Sequence, residues 1–367
     1  MKQLVGACLL SAAGFLPVHI LPVLVAVLVA EGRTSAVEAG WTAAAYMIGQ
    51  LVAATGLPLI QQGALRWQHG CAAGALLLLG LVASAHGGTA VLVGAWFVVG
   101  TASGILFYLA TMFVVGFRDV ALALSLRVSV SLLASGLALA GVQILSGSSG
   151  YGELVQGLTV CFATVLLLAL VLYGAGATLA PAKERPAGKP AGSLALGVLY
   201  LLFAGQIGFW AFAAQNSPSL GMAMPEMLLS LAACKIVAAA VMFPLAYRER
   251  SRAMSGGFLL PGVVLAAGLL LAAGAQLPTA FVAGILLWEI GFNVLSARLQ
   301  TKAVQIDRWY SGAWLTAAIF LGAATGPVLQ GHAVAGGLQN VFIGFAVASA
   351  LFPALCESYL RRATAAS

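Results

Sequence analysis

Residues 181–192 read Pro-Ala-Lys-Glu-Arg-Pro-Ala-Gly-Lys-Pro-Ala-Gly, and this segment decides how the rest of the chain is parsed. Such a mixture of proline, glycine and charge can neither bury an apolar face nor propagate a helix, so it reads as a linker. It lies at the middle of a chain of 367 residues, of which 62% are hydrophobic and 7% charged. A soluble domain carries about 25% charged residues. A globule in water could not cover its surface with 17 Lys and Arg and 10 Asp and Glu, so the solvent for most of this chain is lipid.

Cut at charge, glycine and proline, the apolar runs before the linker predict spans near 4–30, 40–60, 70–86, 90–116, 126–146 and 154–178. Six more follow near 193–215, 225–247, 256–275, 279–297, 309–331 and 338–357. About 20 apolar residues cross a hydrocarbon core of about 30 Å, so the length is filled by twelve spans and short turns. The pattern predicts an all-α polytopic membrane protein, its 12 transmembrane helices arranged in two six-helix pseudo-repeated bundles around a central cavity. The bundles are residues 1–180 and 193–367, and the linker is 181–192. Nowhere do about 100 residues of mixed polarity remain for a soluble catalytic or nucleotide-binding domain. Five cysteines (Cys8, Cys71, Cys161, Cys234, Cys356) fall in or beside apolar runs and read as small packing residues. The lipobox-like Val5-Gly6-Ala7-Cys8 opens an apolar run that continues to Ala30, the length of a span rather than of a cleaved signal.

Positive charge sets orientation, because short loops rich in Lys and Arg stay in the cytoplasm. With the N-terminus inside, fifteen of the seventeen cations fall inside: Lys2, Arg66, Arg118, Arg127, Lys183, Arg185, Lys189, Arg248, Arg250, Arg252, Arg298, Lys302, Arg308, Arg361 and Arg362. Arg33 alone falls outside, and Lys235 lies within a span. A miscount by one helix would scramble this alternation. The pattern predicts an even number of spans in the cell (inner) membrane with both termini cytoplasmic, and the net charge of +7 gives no reason to invoke nucleic acid.

Twelve spans, a 6+6 division and a basic central linker resemble the major facilitator superfamily of secondary transporters. That family carries a Gly-x-x-x-Asp-x-x-Gly-Arg-Arg type signature between spans two and three. Residues 56–70 read GLPLIQQGALRWQHG, with Gly63, Arg66 and Gly70 as a degenerate remnant that lacks the Asp. The Arg that proton-coupled members place in span four is replaced by Trp96, ahead of Gly100 and Gly104. Gly136 and Gly141 in span five and Gly322-Ala-Ala-Thr-Gly326-Pro327 in span eleven are similar to the family's glycine-rich packing stretches.

Charged side chains at mid-bilayer cost roughly 2.5–3.5 kcal/mol, so each needs a reason. Lys235 and Glu289 fall at matching depths near the centres of spans eight and ten. They read either as a self-neutralising ion pair or as cavity groups, with Glu289 a proton site and Lys235 holding an anionic group. His19 lies between Pro17 and Pro22, which predicts a broken helix near the midplane and a residue that titrates near neutral pH. Tyr46, Gln50, Tyr108, Gln206, Trp210 and Asn293 lie at comparable depth and are expected to face the cavity. Glu289 and Asn293 share a helix face at i, i+4, as do Gln206 and Trp210. Arg118, Asp119 and Arg127 are expected at the cytoplasmic end of span five in a gate or topology role.

The chain is therefore expected to be a monomeric secondary transporter of a small organic solute, Lys235 favouring an anionic one, coupled to protons and needing no cofactor. An enzyme would need clustered Asp, Glu, His or Cys near the interface, and these are scattered singly. Met222, Met224 and Met227 leave open a Cu(I) or metal-complex (siderophore) importer of the same fold, since thioethers select Cu(I), although methionine is also an adaptable filler of apolar gaps.

Overall fold

The computed structural model describes residues 2–60, 65–86, 88–146, 150–173, 178–179, 190–216, 218–251 and 257–365. Among them the chain forms twelve α-helices. The first six are α1 (Lys2–Ala30), α2 (Ala36–Ile60), α3 (Trp67–Ala85), α4 (Thr89–Gly116), α5 (Val120–Ser146) and α6 (Tyr151–Tyr173). The second six are α7 (Pro190–Phe212), α8 (Met224–Ser251), α9 (Leu259–Ala273), α10 (Pro278–Ile306), α11 (Arg308–Ala335) and α12 (Gln339–Ala365). Each expected span has its helix, and ten of the twelve are long and apolar enough to cross a membrane. Most of the linker, residues 181–189, and Gly63 lie outside the described residues. A two-residue antiparallel pair, β1 (Leu65–Arg66) with β2 (Thr178–Leu179), joins the start of α3 to the segment after α6.

Among the helix ends that differ from the expected spans, those of α5 and α10 have a local cause. α5 begins at Val120 rather than near 126, because the Asp119 carboxylate accepts the Leu122 N–H at 3.0 Å and caps the helix. α10 runs to Ile306 rather than 297, since Arg298 and Lys302 end the apolar run without ending the helix. Arg298 reaches away to donate to the Gly257 carbonyl at 2.7 Å, ahead of α9. α9 has 15 residues and spans about 22 Å, shorter than the other helices. It packs along α10, so the gap at Gln276 and Pro278 separates two helices.

Helices α1–α6 pack on one another, as do α7–α12, and the two sets meet chiefly where α2 lies on α11 and α5 on α8. Lipid tails give helices no hydrophobic drive to associate, so close backbone contact at small residues holds them. A β-carbon on Gly100 would overlap the Tyr46 carbonyl, which sets α4 directly on α2. Gly326 lies in the same way on the Ala204 carbonyl, which sets α11 on α7. Gly136 meets the Ala232 carbonyl across the α5–α8 seam. The α1–α2 turn is fixed by a capping box, Ser35 Oγ and N–H both donating to Glu38 and the Glu38 N–H donating to Ser35 Oγ at 3.3 Å.

Contrary to the expectation of a broken helix, α1 continues through Pro17 and Pro22 and is buried over nearly its whole length. The prolines still matter, because Pro22 has no N–H for the carbonyl four residues earlier, that of Val18. The Trp210 indole of α7 donates to that carbonyl at 2.9 Å. A sequence defect on α1 thus becomes a contact between the two sets of helices.

Candidate functional site

A cavity of about 60 Å³ lies between the two sets of helices. The first set lines it from α1, α4 and α5, the second from α7, α8, α10 and α11. Its polar groups recur at helical spacing: Glu289, Asn293, Ser296 and Gln300 on α10, and Arg127 and Ser131 on α5. Apolar walls come from Phe15, Phe107, Phe203 and Phe292.

At one end, Lys235 and Glu289 form an ion pair that is essentially solvent-free, the residues being 0% and 1% exposed. The Asn293 amide donates to the second carboxylate oxygen at 3.0 Å and to the Glu289 carbonyl at 2.7 Å. The Lys235 ammonium has two further neighbours, the Trp210 ring with its centroid at 4.2 Å and His19 Nδ1 at 3.1 Å. An ammonium only donates, so His19 accepts through Nδ1 and carries its proton on Nε2. That proton faces Ser131 Oγ at 3.5 Å. The chain Ser131–His19–Lys235–Glu289–Asn293 therefore runs from α5 and α1 in the first set to α8 and α10 in the second.

Aromatic rings back this network. Trp210 stacks on Trp288 with centroids 5.1 Å apart and 5° between planes, and Trp288 stacks on Phe292 at 5.4 Å. The Trp288 indole donates to Gln206 Oε1 at 2.9 Å, and the Gln206 amide donates to the Ala346 carbonyl and Ser349 Oγ of α12 at 2.8 and 3.1 Å. Every atom of Gln206 able to bond is thus spent on other helices.

Nearer the face that carries the termini sits Arg127. It is 3% exposed and lies seven residues, about 10 Å, inside α5. This corrects the expectation of a cytoplasmic-end residue: the early start of α5 places it at cavity depth. Its guanidinium donates to Thr111 Oγ1 of α4 at 2.7 Å and to Gln300 Oε1 of α10, and it lies over the Phe107 ring at 4.8 Å. Gln300 is in turn held by its own donation to Ser296 Oγ at 2.8 Å.

Of the residues expected at the site, His19, Trp210, Lys235, Glu289 and Asn293 line the cavity, joined by Arg127. Tyr46 and Gln50 do not line it. The Tyr46 hydroxyl and the Gln50 amide donate to the Gly14 carbonyl of α1 at 2.9 and 3.0 Å, and to that extent act as interhelical bonds. Tyr108 is buried away from the cavity lining, and Arg118 and Asp119 sit in the α4–α5 turn, where Asp119 caps α5. Met222 and Met227 are buried in the hydrophobic core, and Met224 is partly buried against that core. Among the described residues, no three His, Cys, Asp or Glu are grouped to hold a metal ion. Sequence reasoning passed over Ser131, Trp288, Ser296 and Gln300, although the α10 residues continue the Glu289–Asn293 face at seven and eleven positions on.

No protein-family model matches the chain, and no curated protein is similar to it in sequence. Solved structures are similar in fold. The human organic anion transporter MFSD10 superposes with a TM-score of 0.64 at 16% identity, over 96% of this chain and 97% of that one. The proton:xylose symporter XylE, solved with 6-bromo-6-deoxy-D-glucose, gives 0.69 at 14% identity over 98% and 94%. The nucleoside transporter NupG gives 0.70 at 12% identity over 98% and 100%. Helix order, near-complete coverage of both chains and the cavity between two six-helix sets agree: this chain is a twelve-helix membrane protein with the major facilitator fold.

Proposed function

We propose that the protein is a secondary transporter that carries a small organic solute by alternating access of residues 1–180 against 193–367, and that proton binding at Glu289 and His19 drives the change. The observation that carries this reading is the Lys235–His19 hydrogen bond, which joins α8 to α1 across the two sets and depends on protonation. With Glu289 ionised, Lys235 is held as an ammonium and donates across to His19. A proton on Glu289 removes the counter-charge, and a proton on His19 would set two cations 3.1 Å apart. The second event severs the link between the sets, and the first leaves the Lys235 ammonium beside it without a counter-charge. A ligand or proton shifts such an equilibrium only through its different affinity for the two states, and this contact supplies the difference. The transporters named above share the fold, which supports the reading.

Proteoliposomes loaded with a pH-sensitive dye and challenged with a panel of small organic solutes test it. At least one solute is expected to move protons with it in the native protein. Glu289→Gln should abolish that proton movement while solute exchange across the membrane persists. Solute flux that carries no protons, or proton movement that survives Glu289→Gln, contradicts the proposal.

A further inference from the structure

We infer that Arg127 is the anion-binding residue of the cavity, and that the solute is an organic monoanion whose carboxylate seats on its guanidinium while an apolar body fills the aromatic walls. The inference rests on the reading of this cavity as the solute site. It differs from the sequence expectation, in which Lys235 held the anion.

The charges facing the cavity decide the matter. Lys235 and Glu289 cancel each other, and His19, accepting from Lys235, is neutral. Arg127 remains. Its side chain is buried, its hydrogen-bond partners are the neutral Thr111 and Gln300, and no carboxylate of the described residues forms an ion pair with it. A buried charge is ordinarily paired, because the desolvation penalty otherwise goes uncompensated. A guanidinium offers five N–H donors in a planar fork that matches a carboxylate. The cavity thus carries one surplus positive charge beside open donors, and a single negative charge on the solute compensates it. A second would be left unpaired at the far end, where Glu289 is also negative. Phe15, Phe107, Phe203, Phe292 and Ile319 line the same cavity as Arg127 and the ion pair, and these surfaces suit an apolar body.

Gln300 gives the site a second property. An ionised carboxylate is a stronger acceptor than an amide oxygen, so the arriving anion competes with Gln300 for the same donor. The Arg127–Gln300 bond joins α5 to α10 across the two sets, and anion binding exchanges this contact for one with the solute.

The test is thermal stability of the purified full chain in detergent with matched pairs: 3-phenylpropionate against 3-phenylpropionamide, and cyclohexanecarboxylate against its amide. The acids are expected to raise the melting temperature and the amides at equal concentration to leave it unchanged. Arg127→Gln should weaken acid binding by about tenfold or more, the worth of a charge-assisted hydrogen bond. Gln300→Ala should lower the half-saturating acid concentration, an effect no merely structural role for Arg127 predicts, and this variant serves if Arg127→Gln fails to fold. Acids and amides that act alike, no acid effect at all, or an acid effect unchanged in both variants overturns the inference. Acid binding at Arg127 without uptake into proteoliposomes leaves this assignment standing and overturns the transporter reading. Proton-coupled uptake of solutes indifferent to Arg127 does the reverse.

Discussion

Lys235→Met leaves the Glu289 carboxylate without its cation in a site closed to water. Both members of the pair are at most 1% exposed, so screening by solvent offsets little of the loss. Breaking a buried pair from one side costs about 3–5 kcal/mol, because the remaining charge keeps its desolvation penalty. The lost cation also faced the Trp210 ring at 4.2 Å, a contact worth about 2 kcal/mol when desolvated. Glu289→Gln breaks the pair from the other side, but Lys235 keeps His19 and Trp210, so its cost falls near the bottom of the same range, about 3 kcal/mol. Removing both charges is different. Methionine replaces the lysine stem at similar volume and glutamine retains the Asn293 contact, so the double variant should lose less than about 2 kcal/mol. Unfolding of the four proteins in mixed dodecyl maltoside and SDS micelles closes the cycle. The expected coupling is about 3 kcal/mol or more, with the double variant more stable than either single one. Costs that add to within about 0.5 kcal/mol would refute the pairing argument.

Two further outcomes test the packing and the assignment of polar groups. Gly100→Ala puts a methyl group into the Tyr46 carbonyl and should cost about 2 kcal/mol, whereas Gly94→Ala faces open space and should change stability by less than about 0.5 kcal/mol in the same unfolding assay. Tyr46→Phe removes one of two donors to the Gly14 carbonyl and should cost about 1 kcal/mol of stability with transport KM unchanged, while a raised KM would return Tyr46 to the cavity.

The helix count was legible because lipid demands long apolar runs, and the residues that interrupt them are few. Helix ends were less so: Arg298 and Lys302 interrupt hydropathy but not hydrogen bonding, and α10 ignores them until Ile306. Depth was legible for Lys235 and Glu289, which stand alone among apolar neighbours. It was misjudged for Arg127, which follows Arg118 and Asp119 closely enough to be read with the turn. Sequence depth also cannot say which face of a helix a polar residue occupies. Tyr46, Gln50 and Gln206 have the composition of cavity residues, yet their partners are backbone carbonyls, an indole and a serine on neighbouring helices. The aromatic backing of the ion pair was hidden for a related reason, since Trp288 reads as one more apolar residue until its ring is found stacked on Trp210.

Alternating access requires residues 1–180 and 193–367 to separate on one face while closing on the other. Spin labels at Arg118→Cys, in the α4–α5 turn, and Arg362→Cys, at the end of α12, lie on the same face and on different sets of helices. With the five native cysteines replaced, pulsed electron spin resonance reads the distance between the labels directly. Two distance populations are expected, their ratio shifting between pH 5 and pH 8 in the native protein and indifferent to pH in Glu289→Gln. A single distance, unchanged by pH in both proteins, would contradict proton-driven alternation around this cavity.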